Sequence, residues 1–167
     1  MEKHTTKYFG EIELAIDEDG GWAEFDIIFN GHEITVSLSD YGNYADKTKV
    51  CWEIIDKYVE IHEITEKAII ENFPKKDGTV NFYFGYHFNN DAMDEETLLE
   101  VFGVKNFEEL DIKTAVEKMG YPDLLFGIDE GKINFSVDYM VSKEHSDEIL
   151  CVKMDEELNI IGFSHES

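Results

Sequence analysis

The chain has 167 residues and a formal net charge of −24 at pH 7, because 38 carboxylates outnumber 14 basic side chains. Its hydrophobic fraction of 43% and aromatic fraction of 13% exclude a disordered acidic chain and predict one folded domain over residues 1–167. All 14 basic residues are lysine. Without arginine, and with so negative a field, binding to nucleic acid or to an anionic membrane is disfavoured. The charge favours a basic protein partner, with solubility as the simpler interpretation.

The termini and cysteines bear on the cellular compartment. The amino terminus holds no apolar stretch of signal-peptide length, and no later run approaches a membrane span, so we expect a cytoplasmic protein. Cys51 lies in a helical pattern and Cys151 in a strand pattern. Both are therefore predicted to be reduced packing residues rather than a disulfide pair.

Alternating apolar residues in the first third predict a three-stranded meander. The first strand covers residues 8–16 and ends at a turn over 17–21, and the next two carry inward residues over 25–29 and 34–38. Between them, Asn30-Gly31 predicts a type I′ hairpin turn, because both residues tolerate positive φ.

The apolar period becomes helical from Ala45 to Phe73. Its phase is constant, which favours one long helix, with a break near residues 62–65 as the alternative. A second apolar stripe lies beside the main face and consists of Trp52, Val59 and Ile70. We expect this stripe to pack on a later helical segment; the alternative is an exposed docking ridge.

Three further segments precede the last third of the chain. Alternation over residues 80–88 predicts a strand with one aromatic face. Asp94 to Glu96 predict the start of a short helix that reaches Phe102, because acids favour the positive end of the helix dipole. Asn106 to Glu109 predict a capping-box start for another helix, which Gly120 and Pro122 end.

The last third returns to the strand period, over residues 133–141, 149–154 and 160–165. Taken together, the segments predict an α+β domain. We expect a largely antiparallel sheet with one long helix and two or three short helices packed on it.

Motifs of catalysis and metal binding are missing from the sequence, which has no Gly-rich phosphate loop, GxSxG, CxxC or HExxH. His62 and Glu66 share a helix face at i, i+4, but a metal needs a further ligand. We therefore predict His62 to be a hydrogen-bonded histidine at the edge of the core, and we predict no catalytic residue, cofactor or metal site. A metal-dependent enzyme that uses histidines such as His62 or His87 with carboxylates is an alternative.

Both ends of the chain carry a family resemblance. The stretches Ser136–Asp155 and Gly162–Ser167 resemble the end of a small bacterial domain-of-unknown-function family (number two thousand and four). Tyr8–Ile12 and Phe29–Ile34 resemble its opening strands, whereas residues 81–132 depart from it. More loosely, the chain resembles the acidic immunity proteins encoded beside bacterial polymorphic toxins. That likeness implies a non-catalytic protein that covers a basic toxin or enzyme.

The predicted function is accordingly a non-catalytic protein-binding domain of the immunity or inhibitor type. Contacts with the basic partner are predicted at three acidic clusters: Asp17, Glu18 and Asp19; Asp94, Glu95 and Glu96; and Asp155, Glu156 and Glu157. Trp52 and Tyr83 are the predicted aromatic anchors. Residues 91–93 and 108–111 extend this set. The simpler interpretation makes each cluster a solvated turn or helix start. A further alternative is a scaffold subunit that self-associates through the Trp52 stripe.

Overall fold

The computed structural model describes residues 3–16, 18–19, 21–40, 42, 47–89 and 92–167. Nine β-strands and five α-helices lie within these ranges. The strands are β1 (Lys3–Thr6), β2 (Gly10–Glu13), β3 (Ala15–Ile16), β4 (Trp22–Phe29), β5 (His32–Ser39), β6 (Asp123–Asp129), β7 (Lys132–Tyr139), β8 (Ile149–Asp155) and β9 (Ile160–Glu166). The helices are α1 (Thr48–Ile55), α2 (Tyr58–Asn72), α3 (Thr79–Phe88), α4 (Glu95–Phe102) and α5 (Ile112–Met119).

Seven strands form one sheet in the order β3-β4-β5-β6-β7-β8-β9, and β1 and β2 form a separate hairpin. Neighbours in the large sheet run antiparallel, except that β5 and β6 are parallel. The chain leaves the sheet after β5, forms all five described helices, and returns as β6 beside β5. This confirms the predicted α+β class with a mainly antiparallel sheet.

The core lies between the sheet and the helices. One row of inward side chains crosses six strands, because their registers align Phe25, Val36, Leu124, Val137, Val152 and Phe163. Helix residues cover this face; the ring of Tyr58, for example, lies 5.7 Å from that of Phe29. The neighbouring positions point to the other face, which carries polar residues such as Asp26, Thr35 and Asp138. Burial of the apolar row drives the two layers together.

The first predicted strand is divided between two sheets. Residues 8–16 contain β2, which pairs with β1, and β3, which pairs with β4. The predicted hairpin at Asn30-Gly31 is confirmed: φ is 49° at Asn30 and 83° at Gly31, as a type I′ turn requires. The three strands predicted in the last third are confirmed as β7, β8 and β9.

The predicted long helix consists of two helices, α1 and α2, separated at Asp56-Lys57. The turn tightens there, since the Lys57 N–H donates to the Ile54 carbonyl at 2.9 Å. The Asp56 carboxylate also accepts from the Lys7 N–H at 2.7 Å, which ties the β1–β2 hairpin to the break. Residues 62–65, the alternative position for a break, are helical. The predicted start at Ala45 lies outside the described residues.

The predicted strand over residues 80–88 is wrong, because this segment is helix α3. Its buried residues Val80, Tyr83, Phe84 and His87 follow the i, i+3, i+4, i+7 spacing of a helix. Phe82, which the strand prediction placed on the aromatic face with Phe84, is 60% exposed, whereas Phe84 is buried. Because this segment carries aromatic residues on both faces, it fits the strand period as well as the helix period. Alternation alone therefore gave the wrong element.

The segment after α4 begins differently from the prediction. Residues 107–109 form a short 3₁₀ turn, and the Asn106 amide donates to the Glu109 carboxylate rather than capping a helix. Helix α5 follows and ends before Gly120, where φ is +69°, in agreement with the predicted stop. The thiols of Cys51 and Cys151 are free and buried, as predicted. None of the helices in the described ranges is long and apolar enough to cross a membrane.

Candidate functional site

A cleft of about 580 Å³ opens at the end of the sheet where β5 begins and β7 ends. The β4–β5 turn and the segment that follows β7 form two of its walls, and the ends of α4 and α5 form the third. The lining residues are Gly31, His32, Glu33, Glu100, Val101, Lys118, Met119, Tyr121, Asp138, Met140, Val141, Ser142, Lys143, Glu144 and His145. The cleft thus joins parts of the chain that are far apart in sequence.

The two lysines of the cleft already have partners. Lys143 Nζ lies 2.9 Å from Oδ2 of Asp123 and 3.4 Å from the Glu33 carbonyl oxygen. Lys118 Nζ donates to the Val101 carbonyl at 3.3 Å. By contrast, the side chains of Glu33, Glu144 and Asp138 form no ion pair with any described residue. The cleft therefore offers negative charge to an incoming cation.

Asp138 is the most buried of these three carboxylates. It lies on the outer face of β7, opposite Asp123 of β6 and Cys151 of β8. Its Oδ1 is buried and accepts no hydrogen bond from a described residue. Burial raises the pKa of Asp138, although side-chain hydrogen bonds from Ser136 and Cys151 to the carboxyl group lower it in part. A buried acceptor without a donor costs about 1–3 kcal/mol, so a ligand that supplies a donor would recover that energy.

An aromatic wall stands across the cleft. The His32 and Tyr121 rings lie 5.4 Å apart, and the Tyr121 ring packs edge-on against Phe29 at 4.9 Å. The Asn30 amide donates to the Tyr121 hydroxyl at 2.9 Å and fixes the ring. A rigid aromatic face of this kind can contact either an apolar side chain or a cation.

His62 lies behind this wall, at the core edge, as predicted. Its Nδ1 is 2.9 Å from the Tyr139 hydroxyl, which is also 2.8 Å from Oγ1 of Thr65. The His62–Glu66 pair has an Nε2–Oε1 distance of 3.6 Å. Burial lowers the pKa of His62 to about 4, so the ring is neutral at pH 7. In the described ranges, no group of three or more His, Cys, Asp or Glu residues is placed to hold a metal ion.

His87 ties the segment that follows β7 to helix α3. Its Nδ1 donates to the Tyr83 carbonyl at 2.9 Å, so Nε2 is the acceptor for the Ser146 hydroxyl at 3.0 Å. The same serine oxygen accepts from the Glu148 N–H at 3.2 Å. A serine–histidine pair can activate a nucleophile, but His87 is only 1% exposed and the serine oxygen is occupied. The pair therefore holds the segment after β7 in place.

The two predicted aromatic anchors lie elsewhere. Tyr83 is fully buried, and its hydroxyl accepts from the Val141 N–H at 3.1 Å and donates to the Glu148 carbonyl at 3.2 Å. The prediction of an exposed anchor at Tyr83 is wrong, because the helix turns this side chain towards the sheet.

Trp52 is half-buried, stacked 4.0 Å from the His4 ring and 5.9 Å from the Phe25 ring. It packs between the β1–β2 hairpin and the sheet rather than on a later helix. The other members of its stripe, Val59 and Ile70, are also half-buried. The stripe therefore does not form an exposed docking ridge.

The predicted acidic clusters lie at separate places, and none of their described members lines the cleft. Glu95 pairs with Lys105 at 2.7 Å, whereas Glu96 is exposed without a described partner. Asp155 accepts from the backbone N–H groups of Glu157 and Asn159 and closes the β8–β9 turn. Glu18, Asp19, Glu156 and Glu157 are exposed, and Asp17 lies outside the described residues.

Asp94 has a structural role as the N-cap of α4, because its carboxylate accepts from the Thr97 N–H at 2.8 Å. Replacement of Asp94 with alanine should lower the midpoint of urea unfolding by about 0.5 M, since this N–H loses its acceptor. Urea unfolding monitored by circular dichroism measures the change. Asp94→Ser keeps an oxygen acceptor and should retain most of the stability. Equal losses in the two variants would contradict the capping role.

Comparisons with models of protein families, with curated proteins and with solved structures found no match to this chain. Sequence reasoning did not select His32, Tyr121, Asp138 or Lys143. In the sequence, Asp138 is one of several polar residues at alternate positions of a strand, and only the sheet register places it beside Asp123.

Proposed function

We propose that this chain is a non-catalytic binding protein of the inhibitor or immunity type, which holds a basic protein partner at the cleft. The observation that carries the proposal is the buried Oδ1 of Asp138, an acceptor without a described donor at the lining of an open cleft. A lysine or arginine side chain from the partner would supply that donor and a compensating charge.

The surroundings of Asp138 suit a cation. Glu33 and Glu144 are exposed at the rim and unpaired among the described residues, and the Tyr121 ring offers an aromatic face. Two lysines could repel a cation, but Lys143 is paired with Asp123, and Lys118 donates to the Val101 carbonyl. Because a partner cation would favour the ionised form of Asp138, binding should lower the pKa of this carboxyl.

The charge of the whole chain supports the same partner. A net charge of −24 steers a basic protein towards the surface and speeds association, and added salt weakens that steering. The fit at the cleft would then set how long the complex lasts.

The cleft favours binding over catalysis. Its histidines, His32 and His145, form no hydrogen bond with a hydroxyl or thiol among the described residues, and His145 instead faces Glu100 at 3.7 Å. An activated nucleophile needs such a base within hydrogen-bond reach. The described lining thus supplies acceptors and an aromatic face.

The proposal is tested by capture of a partner from a lysate of the source organism on immobilised protein. We expect recovery of a basic protein at about 50 mM salt and its release at about 500 mM, because screening removes the electrostatic attraction. Glu33→Gln combined with Asp138→Asn should reduce the affinity of that protein about tenfold or more, measured by calorimetry. If the captured protein is an enzyme, the wild-type chain should inhibit it.

The matched control is Glu18→Gln with Asp19→Asn, which removes the same charge from an exposed turn outside the cleft. This variant should bind within about twofold of wild type. Failure to recover a salt-sensitive partner, or equal losses in the two double variants, would overturn the assignment of the cleft.

A further inference from the structure

The two edges of the large sheet differ in length. Strand β3 at one edge has two residues, whereas β9 at the other has seven and pairs on one side with β8. No described strand pairs with its other side. The pairing of β9 with β8 is regular over Gly162–Glu166 and is interrupted by a bulge at Ile161, so the regular part of the open edge presents the backbone donors and acceptors that a further strand can use.

An apolar hollow lies along the carboxyl-terminal half of β9. Phe82 of α3 is 60% exposed there and lies with Phe163 and His165 at a groove of about 710 Å³. Residues 76–78, which precede α3, and Thr79 at its start form the far side of the groove. A strand added to β9 would therefore pass Phe82 and could place an apolar side chain against it.

The amino-terminal half of β9 has an acidic border. Ile161 is 61% exposed and lines a second hollow with four acidic residues, Glu130, Asp155, Glu156 and Glu157, and one lysine, Lys132. An isolated exposed isoleucine is ordinary on a protein surface, but here it lies on an open strand edge beside a concentration of negative charge. The chemistry at this end complements basic side chains.

We infer that β9 accepts an extended, lysine-rich segment of a protein partner as an eighth strand of the sheet. The segment places its basic side chains near Asp155–Glu157 and an apolar side chain on Phe82. This inference rests on the proposed function for the sign of the partner's charge, but it uses a surface away from the cleft. A second copy of this chain is the less suitable occupant, because it brings another −24 charge and the same acidic border.

The test uses a nine-residue synthetic peptide of alternating lysine and valine, added to the isotope-labelled full chain. Main-chain amide signals of Ile160–Glu166 and the signals of Phe82 should shift on titration to about 1 mM peptide. The outward amides of β9 should also exchange more slowly with solvent, which distinguishes a paired backbone from a loose ionic contact.

Two matched peptides separate the contributions. A peptide with alternate N-methylated amides keeps every side chain but cannot pair, and we expect its affinity to fall at least about tenfold. A peptide with glutamate in place of lysine should cause no shift. On the protein side, Ile161→Lys adds a positive charge to the acidic border and should weaken binding of the lysine peptide several-fold.

The outcomes distinguish this surface from the cleft. Asp138→Asn should leave peptide binding at β9 unchanged, so loss of cleft binding and loss of edge binding are read separately. Absence of β9 shifts at about 1 mM peptide, or equal binding of the N-methylated peptide, would overturn the inference. A stable dimer formed through β9 in the absence of peptide would overturn it too, because a second copy would then be the occupant.

Discussion

Replacement of Phe126 with alanine is expected to lower the free energy of unfolding by about 3–5 kcal/mol. Phe126 is fully buried on β6, between β5 and β7, and its ring stacks on Phe135 at 5.3 Å. Its strand joins the part of the sheet formed by β3, β4 and β5 to the part formed by β7, β8 and β9, and it runs parallel to β5. The Ser39 hydroxyl donates to the Phe126 carbonyl at 3.0 Å. Loss of the ring leaves a cavity at this junction, which the surrounding strands cannot fill without breaking register.

Leu125 provides the matched control, because it directly precedes Phe126 on the same strand and points to the outer face, where it is 36% exposed. Leu125→Ala should change the free energy of unfolding by less than about 1 kcal/mol. Both variants are measured by denaturant unfolding at equal slope. A loss below about 1.5 kcal/mol for Phe126→Ala would mean that β6 does not hold the centre of the core.

Much of the sheet could be predicted because its sequence carries one period. In β7 the inward residues Ile133, Phe135 and Val137 alternate with polar ones, and the Asn30-Gly31 turn fixes the register between β4 and β5. Strand β6 was missed because it follows Pro122 and reads Leu124-Leu125-Phe126, where an outward leucine hides the alternation. Its parallel partner depends on where the helices return the chain, which no local pattern records.

The helical errors have a related cause. Residues 80–88 carry aromatic side chains on both faces, so the strand period and the helix period both fit, and contact with β9 decides in favour of the helix. The break between α1 and α2 preserves the apolar spacing, because the buried residues Ile54, Tyr58 and Ile61 are four and three residues apart across Asp56-Lys57. The hydrogen bond from the Lys7 N–H to Asp56 at the break joins residues far apart in the sequence, so a local pattern does not predict it.

The candidate site was beyond prediction for a different reason. Its residues come from the β4–β5 turn, the adjoining ends of β5 and β7, two helix ends and the segment after β7, and none belongs to a motif of catalysis or metal binding. The acidic clusters are easy to see in the sequence, but some of their carboxylates have local structural roles. Asp94 caps a helix and Asp155 closes a turn. The informative carboxylate, Asp138, is recognised by one buried oxygen, Oδ1, that has no described donor, and that is a property of the folded structure alone.

The buried pair of His62 and Tyr139 leads to the second large effect, which depends on pH. The His62 side chain is 13% exposed, and it faces the Tyr139 hydroxyl on one side and the Glu66 carboxylate on the other. Burial lowers its pKa from 6.5 to about 4. In the unfolded chain this histidine takes up a proton as the pH falls below about 6.5, whereas in the folded chain it stays neutral until about pH 4. Stability contributed by neutral His62 is therefore present above about pH 6.5 and is lost between there and pH 4.

We therefore expect His62→Gln to flatten the loss of stability on acidification. The glutamine keeps a hydrogen-bonding side chain but takes up no proton, so the wild-type minus variant difference in unfolding free energy should fall by about 2–3 kcal/mol between about pH 7 and pH 4.5. Because both proteins carry the same other titrating groups, the contributions of those groups largely cancel in this difference. Nuclear magnetic resonance titration of the His62 ring supplies the direct check, with a midpoint expected near pH 4. A midpoint at about pH 6 or above would show that the ring is solvated. In that case the wall behind Tyr121 would be open rather than packed.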